Sequence, residues 1–335
     1  MDKKVCIIYT GGTVGMTKTE FGYAPKRGYL TEMLKKDNEF NRVCAWDIEE
    51  FDPLLDSSNI GVEQWNEIGR VVYEKYNDYS GFVVIHGTDT MAYTASALSF
   101  MLEGLDKPVI ITGSQIPFCE VRSDARDNLL TALILARDAV AREVCLYFNG
   151  KLMRGNRSTK ISSDSLTAFD SPNFKDLANV GIDINYETVE DREKSDKLDL
   201  VTLKNNIPIA VIKIFPGISF KLFENILTEE LKGIVLEAFG SGNVPGYDDG
   251  LIPLIQKAVN NDTIIAVCTQ CLKGSVSLGT YATSNALKKA GAVSCYDMTA
   301  EAAVTKLYYL FSKGLSTDEI KAEMETDLRG ELTLK

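Results

Sequence analysis

The sequence predicts an α/β protein of two α/β domains: a larger N-terminal domain with a mostly parallel sheet flanked by helices, and a smaller C-terminal parallel-sheet domain. Three observations carry this expectation. At 335 residues the chain exceeds the size at which one hydrophobic core stops growing. Apolar, β-rich runs alternate with segments of helical periodicity or turn chemistry, the pattern of a parallel sheet covered by helices. Residues 187–197 are almost wholly polar and have no apolar face to bury, so they read as a connector.

The first series places strands at residues 5–10, 82–86, 108–112 and 144–149, and helices at 62–77, 90–102 and 123–137. In the last helix Asp124 and Asp127 suit the positive N-terminal end of the dipole. The second series places strands at 209–215, 233–239 and 263–269, with helices near 250–260, 299–312 and 316–325. The expected domains are residues 1–186 and 207–335, joined by a polar linker over 187–206. No internal repeat or low-complexity tract interrupts either series.

Composition excludes several classes of function. A formal charge of −11 repels phosphate backbones, and no basic cluster longer than Lys35-Lys36 or Lys288-Lys289 relieves it, so no nucleic-acid partner is expected. The first apolar run, residues 5–9, is shorter than the roughly 7–15 residues of a secretory h-region and passes straight into Thr10-Gly11-Gly12. No apolar run approaches the roughly 20 residues that span a bilayer, so a cytoplasmic protein with no membrane anchor is expected. The seven cysteines are scattered through the chain, several in strand-like runs, as reduced core thiols would be. Cys268 and Cys271 form a CxxC, but there is no second pair and only one histidine, so neither zinc nor any other metal or cofactor is expected.

In open α/β sheets the ligand crevice lies beyond the carboxyl ends of the strands. After the first strand comes Thr10-Gly11-Gly12-Thr13-Val14-Gly15. Its glycines either just reverse the chain or let it turn sharply enough to present a small side chain to a cleft. After the second comes His86-Gly87-Thr88-Asp89-Thr90, at the entrance to a helix. That helix N-terminus suits a developing oxyanion or a bound carboxylate; the plainer alternative has Asp89 or Thr88 capping the helix. His86 ends a buried strand and reads as structural. With no histidine base, a hydroxyl nucleophile would need another activator. Lys160, soon after the strand at 144–149, is the best placed, against the ordinary reading of an exposed lysine.

Tyr9-Thr-Gly-Gly-Thr13 and His86-Gly-Thr-Asp-Thr90, in that order at strand ends, resemble the two signature segments of the bacterial-type L-asparaginases. Gly113-Ser-Gln-Ile-Pro117, Arg154-Gly-Asn-Arg157, Gly240-Ser-Gly-Asn243 and Leu328-Arg-Gly-Glu-Leu-Thr333 extend the resemblance over essentially the full chain, and it is closest to the type I, cytoplasmic branch.

The resemblance implies hydrolysis of the side-chain amide of L-asparagine to L-aspartate and ammonia through a covalent threonine intermediate. Thr13 would be the nucleophile, and Tyr23 would lie on a mobile lid and orient or help deprotonate it. Thr88 and Lys160 would handle water and proton traffic. Asp89 would hold the substrate α-ammonium, and Asp56, Ser57 and Ser58 would grip its α-carboxylate and α-ammonium. Backbone N–H groups near Gly12 and Thr88 would be the oxyanion donors. Tyr23 and Lys160 belong to classes that titrate near pH 10, so either would need a lowered pKa to act as the base.

Two departures from the family pattern stand out. Where a neighbouring subunit of the periplasmic branch supplies an asparagine just beyond the Gly-Asn pair, this chain has Pro245. Some type I members bind a regulatory asparagine with an arginine and a Thr-Gln-Cys segment. Thr269-Gln270-Cys271 is present here, but Glu237 replaces the arginine, so hyperbolic kinetics are expected.

A homodimer or homotetramer is expected from the family. Two other readings share the fold. One is the ammonia-generating subunit of a tRNA-dependent amidotransferase, which carries an extra N-terminal module and is disfavoured by the acidic composition. The other is a non-catalytic amino-acid sensor, disfavoured by the intact set Thr13, Tyr23, Thr88, Asp89 and Lys160.

Overall fold

The computed structural model describes residues 3–20, 22–187, 197–224, 230–246 and 250–334. The chain divides into two compact units, residues 1–202 and 203–335. Of the connector expected over 187–206, residues 188–196 lie outside the described residues. Asp199–Leu200 within that span is a strand paired with Leu102–Glu103, so this part belongs to the first unit rather than to a free linker.

In chain order the first unit runs β1 (Lys4–Gly11), β2 (Met16–Thr19), β3 (Gly22–Pro25), α1 (Tyr29–Lys36), α2 (Asn38–Val43), β4 (Ala45–Leu55), α3 (Val62–Glu74), β5 (Gly81–Ile85) and α4 (Met91–Met101). It continues with β6 (Leu102–Glu103), β7 (Val109–Thr112), α5 (Ala125–Asp138), β8 (Val144–Phe148), β9 (Lys151–Arg154), β10 (Thr159–Lys160), β11 (Phe169–Asp170), β12 (Ala178–Val180), β13 (Ile184–Tyr186) and β14 (Asp199–Leu200). The main sheet has the order β13-β12-β9-β8-β7-β5-β1-β4. Strands β4, β1, β5, β7 and β8 are mutually parallel, and β9, β12 and β13 extend the sheet antiparallel.

This order places the site. From β1 the chain goes outward to β4 on one side, then returns to β5 on the other and proceeds through β7 to β8. The order therefore reverses at β1 and β5, and a crevice opens beyond the carboxyl ends of strands at such a reversal. All five residues of β5 are buried, as expected for a strand covered on both faces. One face packs Val5, Ile7, Tyr9, Val83 and Ile85 against Leu129, Ala132 and Leu133 of α5. Strand β4, not foreseen in the sequence, is the sheet edge. Its charges Asp47, Glu49, Glu50 and Asp52 protect that edge from pairing with another chain, and Lys4 holds Asp47 at 2.5 Å.

The second unit carries a four-stranded parallel sheet, β15 (Ile209–Lys213), β16 (Gly233–Ala238), β17 (Ile264–Thr269) and β18 (Val293–Ser294) in spatial order. Its helices are α6 (Leu251–Asn260), α7 (Ala282–Lys289), α8 (Ala300–Ser312) and α9 (Thr317–Met324). Ile234, Leu236, Ile265 and Val267 pack with Ile255 and Leu287 in its core. The C-terminal segment is tied down by a fully buried pair, Lys306 Nζ to Glu331 Oε1 at 2.5 Å, and Lys306 also donates to the Met324 and Thr326 carbonyls. Among the described residues no helix is long and apolar enough to cross a membrane.

Candidate active site

The loops after β1, β4 and β5 meet backbone to backbone. A Cβ on Gly11 (φ 129°) would lie 2.1 Å from the Leu55 carbonyl oxygen, and one on Gly12 (φ 82°) would lie 2.5 Å from both Cα and N of Gly87. A Cβ on Gly87 would in turn lie 2.5 Å from Ser57 Oγ. Only glycine permits these approaches and these positive φ angles, so the paired glycines do more than reverse the chain. They set Thr13, half-buried at the start of a 3-10 turn, beside the segment that carries Thr88.

At the end of β5 the side chains are cross-linked. Lys160 Nζ, delivered by β10, donates to Thr88 Oγ1 at 2.9 Å and to Asp89 Oδ1 at 2.7 Å. Lys160 is thus half-buried and engaged rather than free in solvent. Neither Thr88 nor Asp89 caps α4. Thr90 is the N-cap residue and makes no side-chain capping bond, because its hydroxyl donates instead to the Ser57 carbonyl at 2.7 Å. Thr88 Oγ1 further donates to Gln115 Oε1 at 3.3 Å, and Gln115 Nε2 donates to the Ser165 carbonyl.

His86 is structural. Its Nδ1 lies 2.7 Å from the Gly87 carbonyl and its Nε2 lies 2.8 Å from Thr94 Oγ1, which also accepts from Trp65 Nε1 at 3.1 Å. The consistent assignment is a neutral ring that donates from Nδ1 and accepts at Nε2. Complete burial pushes its pKa down to about 4.

The Asp56–Ser58 loop lies against the same turn. Asp56 caps it, accepting from Ser58 N at 2.9 Å and from Ser58 Oγ at 2.8 Å. The Ser58 backbone bond, then the Ser58 hydroxyl, hold the Asp56 carboxyl below its usual range. Ser57 is buried against Gly87, while Asp56 and Ser58 are exposed. Of the backbone N–H groups near Gly12 and Thr88 expected as oxyanion donors, that of Gly12 itself donates to the Leu55 carbonyl at 3.1 Å.

Tyr23 lies on the β2–β3 hairpin, 46% exposed, and its hydroxyl donates to Glu120 Oε1 at 2.6 Å. That bond to a carboxylate raises its pKa, which opposes a role as base at neutral pH. Glu120 and Gln115, both on the loop between β7 and α5, were missed in the sequence. An amide at a strand end, within Gly113-Ser-Gln-Ile-Pro117, was a usable signal for Gln115; no local pattern marks Glu120. Asp124, at the N-cap position of α5, also uses its carboxylate to accept from Gln115 N and Ile116 N, which fixes this loop. In the CxxC, Cys268 is buried and Cys271 exposed, and the described residues hold no cluster of three or more side chains suited to a metal ion.

A family model described as the asparaginase N-terminal domain matches residues 4–192, and one described as the glutaminase/asparaginase C-terminal domain matches residues 208–324. The chain belongs to the asparaginase family. Among asparaginases it is 45% identical over 333 residues to L-asparaginase 1 of Escherichia coli K12, covering 99% of this chain and 98% of that protein. It superposes on the crystal structure of L-asparaginase I from Vibrio cholerae with a TM-score of 0.92, 44% identity and full coverage of both chains. The thermostable L-asparaginase of Thermococcus kodakarensis gives a TM-score of 0.89 at 35% identity, covering 99% of this chain and 100% of that one.

Proposed function

We propose that this asparaginase hydrolyses the side-chain amide of L-asparagine, with Thr13 as nucleophile. The observation that carries the reading is the convergence, at the reversal of strand order, of the Thr13 turn with the linked group Thr88, Asp89 and Lys160. Thr13 Oγ attacks the amide carbon, the C–N bond breaks, and the amine leaves with the hydroxyl proton as ammonia. Water then attacks the resulting ester, releases aspartate and restores the Thr13 hydroxyl.

Thr88 and Lys160 manage the water and its protons. The exposed Asp89 carboxylate pairs with the substrate α-ammonium, and the Asp56–Ser58 loop receives the α-carboxylate and α-ammonium through its hydroxyls and the Asp56 carboxylate. Tyr23, its hydroxyl committed as a donor to Glu120, orients the nucleophile instead of deprotonating it. No step needs a cofactor. The site residues all belong to the first unit.

We place the enzyme in the cytoplasm as a homodimer or homotetramer, on the strength of its likeness to type I enzymes and its seven free cysteines. A pocket that merely fits one more methylene discriminates by about 1–3 kcal/mol, so glutamine is the competitor to test. Steady-state ammonia release from asparagine and glutamine, measured in parallel, tests the reading. Turnover of asparagine is expected; a folded preparation that releases no ammonia from it overturns the proposal.

A further inference from the structure

The loop between β7 and α5 touches both halves of the candidate site. On one side Gln115 accepts from Thr88. On the other, three consecutive residues bond the Thr13 turn and the hairpin that follows it. Phe118 N donates to the Val14 carbonyl at 3.0 Å, Cys119 Sγ lies 3.5 Å from the Met16 carbonyl, and Glu120 accepts the Tyr23 hydroxyl at 2.6 Å.

The two partners differ in rigidity. The loop is braced by the Asp124 carboxylate on Gln115 N and Ile116 N, by Ser123 Oγ on the Ile116 carbonyl, and by two turn bonds, Glu120 N to Pro117 O and Ser123 N to Glu120 O. The Phe118 ring adds packing against Phe40, with centroids 6.4 Å apart. The hairpin is a two-stranded ribbon of four residues per strand, marginal by itself and largely exposed at Thr19 and Tyr23. A phenol donating to a carboxylate is a strong, directional bond, able to fix a side chain that packing leaves free.

From this we infer that Glu120 is a positioning residue: its carboxylate, carried on the braced loop, holds the Tyr23 hydroxyl and with it the hairpin in the arrangement that serves Thr13. The inference rests on the proposed roles of Thr13 and Tyr23. It adds a residue that acts only through Tyr23 and never touches substrate. Glutamine at 120 keeps an acceptor oxygen in the same place, whereas alanine removes it.

The experiment is a double-mutant cycle on ammonia release from asparagine with Glu120→Ala, Glu120→Gln, Tyr23→Phe and the double variant Tyr23→Phe with Glu120→Ala, with thermal melts as a check on folding. The expected result is a fall in kcat of about tenfold or more for Glu120→Ala, with a smaller change in KM, at an unchanged melting temperature. Glu120→Gln should recover most of that loss, and Glu120→Ala should cost nothing further once Tyr23 is phenylalanine. Wild-type kcat in Glu120→Ala or in Tyr23→Phe overturns the inference. So do losses that multiply in the double variant, or a glutamine variant no better than alanine. The wild-type arm separates the two readings: no ammonia from wild type defeats the proposed function itself, whereas an active wild type with an inert Glu120 defeats only this inference.

Discussion

Central strands of both sheets run out into short polar segments, yet these segments spend their polar groups differently. Beyond β17, Thr269 Oγ1 accepts from Cys271 N, and the Gln270 amide donates to the carbonyls of Ile214 at 2.5 Å and Glu237 at 2.7 Å. Those side chains bond backbone groups, one within the turn and two on neighbouring strand ends. Beyond β5, Lys160 reaches across from β10 to Thr88 and Asp89, and the neighbouring Thr13 turn is pressed against Gly87. The candidate site thus lies at the strand end whose side chains bond side chains from elsewhere in the chain, whereas the strand end whose side chains bond backbone groups stays a turn. The same contrast occurs within the first unit, where His86 is consumed by Gly87 and Thr94 only two residues before Thr88.

This comparison can be broken at four places. Thr13→Ala should lower kcat for asparagine by at least about 10³-fold with the fold intact by circular dichroism, since no other group replaces a covalent nucleophile. Lys160→Met and Asp89→Asn, which disconnect the β5 cluster, should each cost about 10²–10³-fold in kcat/KM. Losses below tenfold would show that the cluster is structural.

His86 should matter to stability through pH. Its pKa in the folded chain, about 4, lies below the ordinary 6.5, so between those values the unfolded chain binds more protons and stability rises with pH. Stability is full above pH 6.5 and is lost as the pH falls to 4, by roughly 3 kcal/mol at 1.36 kcal/mol per pKa unit. Denaturant titrations of His86→Gln across that range should lack this component of the slope; an unchanged slope would refute the neutral buried ring.

The smallest effect is expected at Gln270→Met. It strands two carbonyls and should cost about 1–3 kcal/mol of stability while leaving kcat within twofold. Asparagine saturation should stay hyperbolic in both proteins. A sigmoidal curve at constant oligomeric state would show that this strand end binds an effector after all.

Much of the fold was legible because buried parallel strands are continuous apolar runs: β1, β5, β7, β8, β15, β16 and β17 all fall within a residue or two of where periodicity puts them. Strand β4 was not, since its edge position alternates charged and apolar residues and its sequence is rich in glutamate and aspartate. The short antiparallel strands β9, β12 and β13 were missed as well, because three or four residues carry too little pattern. In the candidate site, Thr13, Thr88 and Asp89 were legible as small polar residues after apolar runs. Lys160 pointed to chemistry only weakly by itself, and the contact that distinguishes it spans 72 residues. Glu120 was illegible for the same reason: its partner Tyr23 lies 97 residues away, and nothing in the local sequence distinguishes it from a surface glutamate.

The most direct test of the central claim is to trap the intermediate. Acid quenching during turnover of asparagine, followed by peptide mapping, should find an aspartyl adduct on the peptide that contains Thr13, and none in Thr13→Ala, which should also release no ammonia above background. Wild-type ammonia release from the Thr13→Ala protein, or an adduct on a different residue, would contradict it.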